Sequence, residues 1–193
     1  MSTARIYTVA KARKDQGTCS KCGDPIWAGT AYLYWEPGFR SSYKVRRCTK
    51  ASCYPRPSER ESSLMQEIMA AMEAAEDAAD AFEQTGEDTS DLESALEEVQ
   101  SAIENVASQY RDAAEAFNGQ GPNAEKADDL EYLSLDASLE DFDEADVEPC
   151  DEHDDPVVQA DCEACQDNVE EKKSEWRQEQ AQALRDALEE VQL

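Results

Sequence analysis

The chain has 193 residues, of which 45 are acidic and 18 basic, and carries a net charge of −27. That length suits one medium domain or two small ones. It contains no apolar run of the roughly eighteen residues that a membrane-spanning helix needs, and Met-Ser-Thr-Ala-Arg at the start lacks the apolar core of a secretory signal. A cytoplasmic protein with reduced cysteines is therefore expected, and its seven cysteines read as metal ligands before disulfides. Charge is unevenly placed: twelve basic and four acidic residues up to position 60 leave +8 there, while six basic and 41 acidic residues beyond it carry −35. A basic segment suits a polyanionic partner that the acidic remainder would repel.

Residues 1–57 read as a small β-rich unit. Ile6 to Val9 suits a short strand; Thr30 to Trp35 and Tyr43 to Arg47 suit a hairpin, with Pro37-Gly38 as turn chemistry between them. Pro55-Arg56-Pro57 breaks the pattern, and residues 58–119 follow as a helical hairpin. Ser58 and Glu61 make a capping box, and the first helix is expected from about Ser58 to Gln84. Its apolar stripe is Met65, Met69, Met72, Ala75 or Ala79, and Phe82, with Thr85-Gly86 as the stop. Leu92, Leu96, Val99, Ile103, Val106, Tyr110, Ala113 and Phe117 step by fours and threes as a heptad seam, ended by Asn118-Gly119. Two long helices joined by a short loop pack antiparallel; the seam can be satisfied within one chain or in a homodimer.

Residues 120–155 read as a short helix, Ala124 to Leu133, and an acidic loop: positions 128–155 hold 14 acidic residues and no Lys or Arg, so self-repulsion should leave much of the stretch irregular or mobile. Residues 156–193 form a last helix, opened by Asp155-Pro156, with the stripe Val158, Cys162, Cys165, Val169, Trp176, Leu184, Leu188 and Val191. The expected fold is mostly α: a small zinc-stabilised β-hairpin finger, then an antiparallel helical hairpin or coiled-coil body.

Cys19-x2-Cys22 and Cys48-x4-Cys53, separated by 25 residues, are the clearest chemical signal. Four thiolates suit a tetrahedral Zn2+, and a two-residue gap lets one tight turn aim both sulfurs at the ion. Gly23 follows Cys22, where such a turn needs positive φ. A closed four-thiolate site leaves no position for water, which makes the ion structural, and a unit under about sixty residues gains most from one. The competing reading is four ordinary buried cysteines.

Cys150, His153, Cys162 and Cys165 form a possible second zinc set; alternatively the two helical cysteines simply occupy the apolar seam. A redox role for Cys162-Glu163-Ala164-Cys165 lacks the strand–helix context it needs. Between the first two cysteine pairs, Tyr32, Tyr34, Trp35, Phe39 and Tyr43 interleave with Arg40, Lys44, Arg46 and Arg47. Those four cations are the candidate contacts to DNA or RNA phosphates; otherwise the aromatics fill a small core beneath a solvated basic face. The acidic body can mask the finger, imitate nucleic-acid charge, or merely keep a coiled coil soluble. With His153 as the single histidine and no glycine-rich phosphate loop, no catalytic apparatus is expected.

Ala10-Lys11-Ala12-Arg13, Cys19-Ser20-Lys21-Cys22-Gly23, Ile26, Gly29, Tyr32 and Arg47-Cys48 together resemble poly(ADP-ribose) polymerase-type zinc fingers. With Tyr7-Thr8-Val9 before them and the Pro57-Ser58 helix start after, the arrangement resembles bacteriophage proteins that join such a finger to an acidic helical tail. The likeness covers residues 5–60. It implies a zinc-binding, non-catalytic protein that meets DNA, RNA or a host protein, in host cytoplasm if phage-encoded. The polymerase-type finger recognises DNA breaks with a His among its ligands, where this chain has Cys48 and Cys53; no polymerase domain is present. The alternative function is an acidic DNA mimic that inhibits a host DNA-handling enzyme.

Overall fold

The computed structural model describes residues 4–37, 43–61, 64–116, 118–133, 135–143, 147 and 162–191. The chain forms two compact units, residues 1–70 and 71–192, divided inside a helix.

The first unit is built on a three-stranded antiparallel sheet in the order β1 (Tyr7–Val9), β2 (Tyr32–Trp35), β3 (Val45–Cys48). The expected hairpin is present, and the expected first strand adds to its outer edge. Side chains alternate across a strand, so the register sorts the sheet into two faces. Thr8, Leu33 and Arg47 form one row of the inner face, and Leu33, Trp35 and Arg47 are buried there. Tyr7, Tyr34 and Arg46 form a row of the outer face, beside Val9, Tyr32 and Cys48. Two 3-10 turns follow, Ala51–Cys53 and Ser58–Arg60. The helix expected from Ser58 starts only at Met65: α1 is Met65–Thr85. Residues 58–60 are instead held by long-range pairing, as Ala4 N–H donates to Arg60 O and Arg47 forks onto Glu59.

The second unit is helical. α1 buries Ala75, Ala79 and Phe82 there, and its buried start within the first unit is Met65 and Ile68, with Met69 and Met72 only half-buried. Gly86–Thr89 links α1 to α2 (Ser90–Glu115). α2 turns back along α1: a cleft of about 540 Å3 is lined by both helices, from Ala74 to Thr85 on α1 and from Ser90 to Glu98 on α2. α2 buries Leu92, Val99, Ala102, Ile103, Val106, Ala107, Tyr110 and Ala114. That face is wider than a heptad seam because α2 meets both α3 (Pro122–Glu131) and α4 (Glu163–Glu189). Asn118 and Gly119 close α2 with φ of 62° and 69°, the left-handed conformation expected of an Asn-Gly stop.

The acidic segment is irregular, as expected, but its described residues 135–143 are anchored. Glu140 N–H donates to Gln180 Oε1 at 2.8 Å, and Glu140 O accepts from Trp176 Nε1 at 2.7 Å, so α4 satisfies both backbone groups of one residue. Asp141 Oδ1 accepts from the Thr89 hydroxyl at 3.0 Å and from Thr89 N–H at 3.3 Å, capping the start of α2 from a distant segment. Arg177 donates to Gly86 O at 2.8 Å, placing a cation at the negative end of α1. Among the described residues no helix is long and apolar enough to cross a membrane.

Candidate metal centre

The first cysteine pair sits on a narrow loop. Gln16 N–H donates to Ile26 O, Ile26 N–H to Gly17 O and Cys19 N–H to Asp24 O, so residues 16–26 double back on themselves. Gly23 turns the loop with φ of 76° and donates to Cys19 O. A Cβ there would meet open space, so the preference for glycine comes from backbone conformation alone. The second pair comes from the end of β3, which carries Cys48, and the 3-10 turn that ends at Cys53. Ser20 N–H donates to Arg46 O at 2.9 Å, stitching the loop to β3, and the Lys50 ammonium pairs with Asp24 across the two halves.

These elements bring Cys19, Cys22, Cys48 and Cys53 together with all four sulfurs within 4.8 Å of one another. None is in a disulfide. The cluster is compatible with a metal site. It is also the local core: Cys19, Cys53 and Ile26 are buried together, with Tyr32 and Cys48 packed against them. Four thiols in one space cannot all ionise without a cation. Burial pushes Cys19 up, but the N–H groups of Cys22, Cys48 and Lys21 outweigh it and lower its pKa to about 6. At Cys22 the Asp24 N–H pulls the other way, yet burial and the three neighbouring sulfurs push the pKa up to about 12. Burial, then the Cys48 sulfur, raises Cys53.

The four candidate phosphate contacts separate. Arg40 lies outside the described residues. Arg47 is 7% exposed and turned inward: its guanidinium forks onto Glu59 at 2.7 and 2.5 Å, donates to Ser20 Oγ at 3.3 Å and lies over Trp35 at 5.2 Å. As a phosphate contact that choice is corrected, because a row of three residues across an antiparallel sheet puts Arg47 beside the buried Leu33. Lys44 and Arg46 are on the outer side; Lys44 pairs with Glu36 at 3.0 Å and lies over Tyr34. Two residues of this face were missed in the sequence, Arg5 and Tyr7. The alternation Arg5-x-Tyr7-x-Val9 was the available signal, and only strand pairing reveals that it lies beside Tyr34.

In the second cysteine set, Cys150 and His153 lie outside the described residues. Cys162 is not in a helix: it precedes α4 with φ of −100° and ψ of 119°, so it does not share a helical face with the fully buried Cys165. No protein-family model, curated protein or solved structure matches this chain.

Proposed function

We propose that Cys19, Cys22, Cys48 and Cys53 hold one structural Zn2+, and that the finger it shapes is a non-catalytic nucleic-acid-binding or adaptor module. The convergence of the four sulfurs carries this reading. A tetrahedral ion about 2.3 Å from each thiolate sets its ligands about 3.8 Å apart; Cys22 Sγ and Cys48 Sγ are 3.7 Å apart, and none of the four exceeds 4.8 Å from another. Zinc brought to this set completes its coordination and organises the small core around it, while the protein supplies only orientation and charge. With four protein ligands no coordination position is left for a reacting water. The segment's +8 favours a polyanion, and the resemblance of residues 5–60 to polymerase-type and phage-type fingers supports the same partner class.

The test uses the full chain. Metal content is measured by inductively coupled plasma mass spectrometry, and binding to fluorescent DNA and RNA oligonucleotides by anisotropy, before and after chelation. One zinc per chain, with binding abolished by chelation and by Cys53→Ser, supports the proposal. A metal-free protein, or affinity that survives chelation unchanged, overturns it.

A further inference from the structure

The outer face of the sheet has an unusual composition for so small a unit. Tyr7 and Tyr34 face each other across β1 and β2 with ring centroids 5.1 Å apart and planes 17° from parallel. The Arg5 guanidinium lies over Tyr7 at 5.6 Å, and the Lys44 ammonium over Tyr34 at 4.9 Å. Arg46 is directly opposite Tyr34 on β3, and Tyr32 adjoins Tyr34 at 6.2 Å. Tyr7 remains 44% exposed. Tyr7 and Tyr34 are not needed inside, because Leu33 and Trp35 fill the inner face of the sheet, while on the outer face only Tyr32 and Cys48 pack against the cysteine cluster. The result is a row of stacked rings with a cation over each end, on a face whose third strand adds another cation.

We infer that this face, Arg5, Tyr7, Tyr34, Lys44 and Arg46, is a platform for single-stranded nucleic acid. The inference rests on the nucleic-acid reading above and narrows it from any polyanion to an unpaired strand. Duplex hides its bases in the stack, so it can use the cations but not the rings. An unpaired strand uses both: its bases stack on tyrosine faces and its phosphates meet the flanking cations. An exposed cation over a ring is a weaker contact than a base stacked on it. A base therefore displaces the Lys44 ammonium, whose long stem keeps it in reach of a phosphate. Stacking is sequence-tolerant, since every base has a π face, and the sugar is not read, so DNA and RNA strands should both bind.

The experiment is anisotropy on the full, metal-loaded chain with labelled oligo-dT, oligo-U and a DNA duplex of equal length. Variants are Tyr34→Leu, Tyr7→Leu and Arg46→Ala, with Tyr132→Leu, an 88% exposed tyrosine of the helical unit, as control. Retained metal content and circular dichroism verify folding of each variant. We expect both single strands to bind at least tenfold tighter than duplex. Each finger tyrosine variant should lose about 5- to 150-fold, the effect of one stacked base. Arg46→Ala should reduce the salt slope by about one, and Tyr132→Leu should change nothing. Duplex binding equal to single-strand binding, with Tyr34→Leu and Tyr7→Leu silent, overturns the platform but leaves the nucleic-acid reading standing. Absence of binding to all three probes overturns that reading, and the platform with it.

Discussion

Replacing Arg47 with alanine separates a structural cation from a surface one. In the native unit Arg47 joins three segments: its own strand β3, the cysteine-bearing loop through Ser20, and the 58–60 turn through Glu59. Removing one partner of a buried ion pair costs about 3–5 kcal/mol. Here the Glu59 side chain is 30% exposed and also accepts from Arg56 N–H at 2.8 Å, so water and backbone recover part of its charge. The expected loss is about 2–3 kcal/mol, including the contact with Trp35. Residue-resolved hydrogen exchange by NMR on the full chain reads it directly, because the slowest amides of β2 and β3 report opening of this unit. At 1.4 kcal/mol per tenfold, those amides should exchange about 30- to 150-fold faster. Arg46→Ala, on the outer face, should change them by less than about threefold. Equal effects from the two substitutions would refute the assignment of Arg47 to the interior.

Three further outcomes follow from the helical unit. Asp141→Ala removes the acceptor of the Thr89 N–H and leaves the buried Thr89 hydroxyl without its partner, while Asp88 still caps Ser90, and urea unfolding followed by circular dichroism should show a loss of about 1 kcal/mol. Gly86→Ala drives a Cβ into the Phe82 ring, whose centroid lies 5.2 Å from that of Trp176, so the same assay should show a loss of about 1–3 kcal/mol. An unchanged midpoint in either case would contradict the packing described. Trp176→Phe keeps an aromatic side chain, though a smaller one, and deletes the donor to Glu140 O; limited proteolysis should then cut residues 135–143 several-fold faster than in the native chain, and equal rates would show that this bond does not hold the segment.

What the sequence reveals here follows the range of the forces involved. Strand identity is local: the β-formers of Tyr32–Trp35 and Val45–Cys48 mark the hairpin to within two residues, and the cysteine spacing marks the four-sulfur cluster before any coordinate is known. Helix α2 is legible because its apolar steps persist for 26 residues. Ser58 and Glu61 carry a valid local start signal, yet α1 begins at Met65, since pairing with Ala4 and Arg47 competes for residues 58–60. Ile68, fully buried, lay outside the predicted stripe because methionines at 69 and 72 suggested a neighbouring face. Arg46 and Arg47 look alike in sequence; strand parity sends Arg47 inward and leaves Arg46 on the other face. The anchoring of the acidic stretch was invisible for the same reason: Asp141 reaches Thr89, and Glu140 reaches α4, across long separations in the chain.

X-ray absorption at the zinc edge of the purified full chain addresses the four-sulfur site most directly. One zinc per chain surrounded by four sulfur scatterers at about 2.3 Å is the predicted result. A shell containing nitrogen or oxygen, or a protein that folds its sheet with no metal bound, would contradict the assignment of Cys19, Cys22, Cys48 and Cys53 as a closed structural site.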